Sequence, residues 1–170
     1  MNCFKWIRQN SRLMLFRQVL LAGGLGMGVS LFSPSALAAT CTVSPVVSPA
    51  FAPYQGVTID ATGSITVRCT SLLDTNISYS ISLSLGNQAV GTQRRMVMGV
   101  NFLKYNFFCT NGYSQVWADG LGGTCVINGG GLALVILPMV NTHTVYARIP
   151  GGQLVTAGTY NDNVNINVLY

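Results

Sequence analysis

Ile77-Ser78-Tyr79-Ser80-Ile81-Ser82-Leu83-Ser84-Leu85 alternates strictly for nine residues, apolar at every odd position and serine at every even one. A strand repeats every two residues, so this pattern sends one set of side chains into a core and the other outward. Ser64-Ile65-Thr66-Val67-Arg68 and Val164-Asn165-Ile166-Asn167-Val168 repeat it on either side. Asn101–Phe108 and Thr144–Ile149, rich in aromatic and branched residues, predict two further strands. Turn clusters fall between them: Ala61-Thr62-Gly63, Gly86-Asn87, Asn111-Gly112, Asp119-Gly120, Asn128-Gly129-Gly130-Gly131 and Pro150-Gly151-Gly152. No segment sustains a helical period. Short strands separated by turns predict an all-β chain, an antiparallel sandwich or barrel.

Leu132-Ala133-Leu134-Val135-Ile136-Leu137-Pro138-Met139-Val140 breaks the alternation. The run predicts a strand buried on both faces. Pro138 fits an edge or a loop better. The competing reading is an exposed apolar loop that contacts a surface through Leu134, Ile136, Leu137 and Met139.

The chain has 170 residues, enough for one domain, with 49% hydrophobic and only 8% charged residues. That is about a third of the usual charged fraction, the wrong balance for a disordered chain. The net charge of +5 is concentrated near the N-terminus, where Lys5, Arg8, Arg12 and Arg17 lie. Beyond residue 38, five bases (Arg68, Arg94, Arg95, Lys104, Arg148) face four acids (Asp60, Asp74, Asp119, Asp162), a net charge of +1. No nucleic-acid partner is expected from that balance. With no glutamate and a single histidine, acid–base catalysis lacks its usual groups.

Residues 1–38 read as a secretory signal: a basic segment to Arg17, an apolar stretch from Val19 to Phe32, and a small-x-small site at Ala36-Leu37-Ala38. The long basic segment would shorten if translation began at Met14. The 14-residue apolar stretch falls short of the roughly 20 needed to span a bilayer, so no transmembrane anchor is expected after cleavage. The domain proper is then 39–170, and export is expected. Cys41, Cys69, Cys109 and Cys125 remain in it. An even count in an exported chain predicts two disulfides, and spacing leaves all three pairings open. A metal site would want close cysteine pairs or histidine partners, which the pattern lacks.

No catalytic constellation or cofactor motif is present. His143 stands alone as a solvent-facing or structurally bonded imidazole, and the four aspartates read as turn formers. Arg94-Arg95 is too short for a phosphate track, and Gly120-Leu121-Gly122-Gly123 precedes no helix pattern.

The order of the short motifs resembles a known family. Cys41-Thr42-Val43 is followed by Phe51-Ala52-Pro53-Tyr54, then Gly63–Cys69 and Ile81-Ser82-Leu83. Leu103-Lys104-Tyr105-Asn106-Phe107 and Val116-Trp117-Ala118-Asp119-Gly120 come next. Val145–Gln153, Ala157-Gly158-Thr159-Tyr160-Asn161-Asp162 and an alternating strand to Tyr170 complete the series. Together they resemble the spore coat protein U domain, which includes subunits of archaic chaperone–usher pili. The resemblance implies an immunoglobulin-like sandwich lacking one strand, a Cys41–Cys69 disulfide, and assembly by donor-strand complementation. Its partners would be a periplasmic chaperone, an outer-membrane usher and other pilus subunits. Val164, Ile166, Val168 and Tyr170 would border the acceptor groove. Ala147 and Ala118 stand where the family has glycine, changes small enough to leave turns intact. Cleavage after Ala38 leaves only Ala39-Thr40 ahead of Cys41, with no donor strand, which suggests a tip-like or terminal subunit of an adhesive, biofilm-forming fimbria. Two alternatives stand beside it: a secreted coat or matrix protein with a self-completed sandwich, and a carbohydrate-binding module with Tyr113 and Trp117 as its glycan platform. Cys109 and Cys125 bracket Trp117 and would staple a long loop.

Overall fold

The computed structural model describes residues 4–12, as backbone, and residues 39–170. The apolar part of the expected leader, Met14 and the expected cleavage site at Ala36–Ala38 lie outside the described residues. The strands are β1 (Phe4–Arg12), β2 (Thr40–Val47), β3 (Ile59–Thr70), β4 (Thr75–Leu83), β5 (Arg94–Met98), β6 (Asn101–Phe108), β7 (Ile127–Ala133), β8 (Met139–Ile149) and β9 (Asp162–Leu169). They form one sheet in the order β1-β9-β4-β7 and another in the order β2-β3-β8-β6-β5. Every pairing is antiparallel except β1 with β9, which is parallel. The architecture is the expected all-β, immunoglobulin-like sandwich.

The period of two becomes burial directly. Ile77, Tyr79, Ile81 and Leu83 of β4 meet Ile65 and Val67 of β3, Tyr105 and Phe107 of β6, and Val145 of β8 in one core. Each such side chain contributes roughly 1.5–3 kcal/mol relative to exposure. Cys41 and Cys69 face each other across β2 and β3 and are bonded, closing 28 residues. Cys109 bonds Cys125 across 16 residues. In the chain-entropy picture each loop contributes about 3 to 4 kcal/mol.

Several expectations are corrected. Ala61-Thr62-Gly63 lies inside β3, not in a turn. A Cβ at Gly63 would strike the Val47 carbonyl oxygen and sit 2.7 Å from the Pro49 ring, so the glycine marks close approach of two chain segments. Asn128–Gly131 likewise runs within β7, because the Tyr79 ring occupies the space a side chain at Gly129 would need. Ala147 stands inside β8, fully buried, rather than at a turn. Asp60 and Asp162 are strand residues with specific partners. Asp119 builds the expected turn, accepting from Leu121 N at 3.0 Å, and Asp74 sits in the loop between β3 and β4.

The apolar run is not one buried strand. Ala133 ends β7 and Met139 begins β8, both buried, while Leu134 and Leu137 exchange two backbone hydrogen bonds at 2.9 and 3.2 Å to close a turn. Val135, Ile136 and Leu137 project outward, Ile136 being 92% exposed. Pro138 has no N–H to offer a ladder, and the turn reverses the chain before the run can continue as a strand.

Two buried polar groups tie the sheets together. Trp117, with 0% exposure, donates its indole N–H to the Ile81 carbonyl at 2.9 Å, and its backbone N–H reaches Phe107 O at 2.9 Å. Arg94 is also 0% exposed. Its Nε and Nη2 donate to Ser84 O at 3.0 and 2.6 Å, and Nη2 reaches Trp117 O at 2.8 Å. Burial lowers its pKa to about 10, so it stays charged at neutral pH. The Arg94-Arg95 step is therefore no basic patch. Elsewhere His143 of β8 meets Tyr79 of β4 across the sandwich, Nε2 to Oη at 2.7 Å.

Replacing Arg94 with methionine keeps the volume but leaves the Ser84 and Trp117 carbonyls without these donors. We expect a loss of about 2–4 kcal/mol in urea unfolding. Burial also depresses the His143 pKa below the ordinary 6.5. The unfolded chain therefore takes up the proton first, and stability present in full above that value is lost as pH falls below it. The wild type should unfold at lower urea at pH 5.0 than at pH 7.5, and His143→Gln should narrow that difference. An equal pH dependence in both proteins would remove His143 as its source.

Candidate functional site: the outer edge of β9

β9 begins in a dense set of polar contacts. Buried Asp162 accepts from Asn87 N at 3.1 Å and from Asn163 N at 2.8 Å through Oδ1, and from Tyr105 Oη at 2.7 Å through Oδ2. A Cβ at Gly86 would run into this carboxylate, so only glycine lets the preceding loop close over it. Burial, reinforced by the Asp162 charge, pushes the Tyr105 pKa well up and keeps the hydroxyl a donor. Just before β9, Asn161 exchanges backbone hydrogen bonds of 2.8 and 3.1 Å with Val97 of β5. Farther along, Asn165 N donates to Ser84 Oγ at 2.8 Å and Asn165 O accepts from Ser84 N at 2.9 Å.

On its inner side β9 pairs with β4 from Leu83↔Ile166 to Ser80↔Leu169. Val164, Ile166 and Val168 are buried on one face, and Tyr170 follows the strand half-buried against the core. The other side of β9 meets no strand of 39–170. There β1 lies parallel to it, from Phe4↔Asp162 to Arg12↔Leu169, with a register shift between Trp6 and Gln9. An edge row of N–H and C=O groups is a template for an added strand. The edge is held rigidly from behind and paired in front by a segment that the sequence reads as leader.

The remaining sequence-predicted residues fall elsewhere. Ile136 and Leu137 are exposed, Leu134 is half-buried and Met139 belongs to the core, so the four do not form one surface. The exposed pair is joined instead by Leu72 and Leu73, which were not singled out in the sequence. Cys69 stands opposite Met139 and Thr75 opposite Ala133, which brings the two loops to the same end. Asp74 Oδ1 accepts from Val135 N at 2.9 Å and ties them.

Tyr113 and Trp117 do not make a platform, since Trp117 has no exposed surface. Tyr113, at φ 51°, instead lies under the Arg148 guanidinium, 3.6 Å from its ring centroid. Arg148 is held in turn by Asp60 through bonds of 2.6 and 2.8 Å. The Arg148 hydrogen bond keeps the Asp60 carboxyl below its usual range. Among the described residues no group of three or more His, Cys, Asp or Glu could hold a metal ion.

The Spore Coat Protein U domain family matches residues 28–167. No curated protein matches the sequence. Among solved structures, the chain is similar to one in the CsuC–CsuE chaperone–tip adhesion subunit pre-assembly complex from the archaic chaperone–usher Csu pili of Acinetobacter baumannii. The TM-score is 0.50 at 20% identity, covering 78% of this chain and 40% of that one. This chain thus spans less than half the length of that relative. Its motif order, its sandwich and the extent of the family match agree: the chain belongs to the Spore Coat Protein U domain family.

Proposed function

We propose that the chain is a non-enzymatic structural subunit of a cell-surface fimbria, exported and assembled by a chaperone and an usher. The observation that carries this reading is the outer edge of β9, which pairs with an added parallel strand while its other side is pinned by Asp162, Asn165 and β4. Signal cleavage at Ala38 would remove β1 and expose that edge. A periplasmic chaperone, and then a neighbouring subunit, would supply the strand, with backbone hydrogen bonds giving affinity and alternate side chains giving specificity. The short Ala39-Thr40 lead before Cys41 supports a terminal or tip-like position. Adhesion and biofilm formation would use the apolar end formed by Leu72, Leu73, Val135, Ile136 and Leu137, an exposed cluster of the kind that marks contact surfaces.

One observation favours a second reading. The strand on β9 comes from this same chain, so a protein that kept Phe4–Arg12 would be a self-completed coat or matrix protein. The mass of the exported protein separates the two: a chain beginning near Ala39 supports the subunit, and one retaining Phe4–Arg12 supports the coat protein.

Residues 39–170 produced in a periplasm should accumulate as a one-to-one complex with the chaperone and poorly without it. A synthetic peptide of Phe4–Arg12 should raise the unfolding temperature of that chain, and a version with proline at alternate positions should not. A stable monomer indifferent to both would sink the fimbrial reading. For adhesion, Ile136→Ser combined with Leu137→Ser should reduce retention on a hydrophobic surface several-fold while leaving the unfolding temperature unchanged. Equal retention of the variant would remove the apolar end from adhesion.

A further inference from the structure

At the end of β8 away from the apolar loops, a cavity of about 360 Å³ opens into the sandwich. β8 separates the two features by 11 residues, roughly 33 Å of strand. The floor is Met96 of β5, Leu103 of β6 and Ile149 of β8, and the walls include Phe51, Tyr54 and Tyr160. Preformed pockets of this size are the usual dimension of small-ligand sites.

Hydrogen bonds fix one wall of the cavity. Tyr54 Oη donates to Pro150 O at 3.1 Å and accepts from Gln153 N at 2.9 Å. Gly152 N reaches Gly56 O at 2.8 Å, and Gly151 N reaches Thr58 Oγ1 at 3.0 Å. These bonds clip the loop carrying Phe51 and Tyr54, two of the wall residues, to the segment after β8.

The lining also selects the chemistry. No charged side chain lines it, and the Tyr160 hydroxyl already donates to Thr156 O at 2.8 Å. A charged ligand would find no counter-charge in this mostly apolar lining and would be penalised for the hydration it gives up. Three aromatic rings and the thioether of Met96 instead favour an aromatic guest, through edge contacts and sulfur–ring contacts.

We propose that this cavity is a binding site for a small, uncharged aromatic molecule of indole or naphthalene size. The site is independent of the strand-accepting edge and stands whether or not β9 serves a fimbria.

Isothermal titration of the exported protein with indole, and with 1-octanol at equal concentration, tests it. Indole should bind one-to-one with Kd on the order of 0.1–1 mM, the range open to a ligand of so few atoms, and more tightly than 1-octanol. Val155→Trp and Ala157→Trp, which place an indole at the cavity wall, should each weaken binding at least about tenfold, the effect of losing most of a small pocket. Ala157 is exposed, so its variant should fold even where Val155→Trp does not. Leu154→Trp, on a fully exposed neighbour outside the lining, should bind like the wild type. Absence of saturable binding, tighter or equal binding of 1-octanol, or an equal loss in Leu154→Trp would each overturn the proposal.

Discussion

A guanidinium without solvent contact joins the two sheets where the chain crosses between them. Arg94 begins β5, yet its nitrogens bond carbonyls at Ser84, just past β4, and at Trp117, in the loop bounded by the second disulfide. Removing a cation from water costs several kcal/mol even after relaxation. Here the charge is met by those carbonyls, by the Phe107 ring at 5.2 Å and by the field of Asp162. Asp162 heads β9, where Asn87 N, Asn163 N and Tyr105 Oη hold its carboxylate and so fix the start of that strand's outer edge. Trp117 completes the brace by bonding Ile81 and Phe107 on opposite sides.

That brace explains how one side of β9 can remain a template without the sandwich falling apart. The strand's position is determined from behind, by Asp162, Asn161, Asn165 and the β4 ladder, so an incoming strand meets an edge already in register. An exposed edge of this kind also pairs with wrong partners. The weakly charged, lysine-poor sequence beyond residue 38 carries few of the charges that otherwise blunt edges, which is what an escort during the proposed export would compensate.

Much of the sandwich was legible in the sequence because a period of two reports which side chains turn inward. Ile77–Leu85 and Val164–Val168 placed β4 and β9, and Asn101–Phe108 matched β6 to the residue. Glycine was harder, since the same residue serves a turn and a close approach. Gly63 and Gly129 were read as the first and proved to be the second. The Leu132–Val140 run is harder to read because hydrophobicity reports affinity for a partner without naming one, and among the described residues no strand covers Ile136. At the candidate site, the core-facing residues of β9 were recognisable, whereas its anchors were not. Arg94 looked like half of a small basic step, and Asp162 like a turn former beside Asn161. Their burial depends on contacts with Trp117 and Tyr105, far away in the chain. Trp117, an aromatic beside a turn and half of the alternative glycan platform, belongs to the core.

The two disulfides bear on mechanics as well as on equilibrium. A subunit in a surface filament is pulled along its length, and an unbridged domain that yields pays out its whole contour. Here the chain from Cys41 to Cys69, a separation of 28, and from Cys109 to Cys125, a separation of 16, stays looped even after every hydrogen bond has gone. That withholds roughly 150 Å of slack from each domain. A filament of such subunits would stretch less before it stiffens, and a yielded domain would begin its recovery with β2 still fastened to its partner strand.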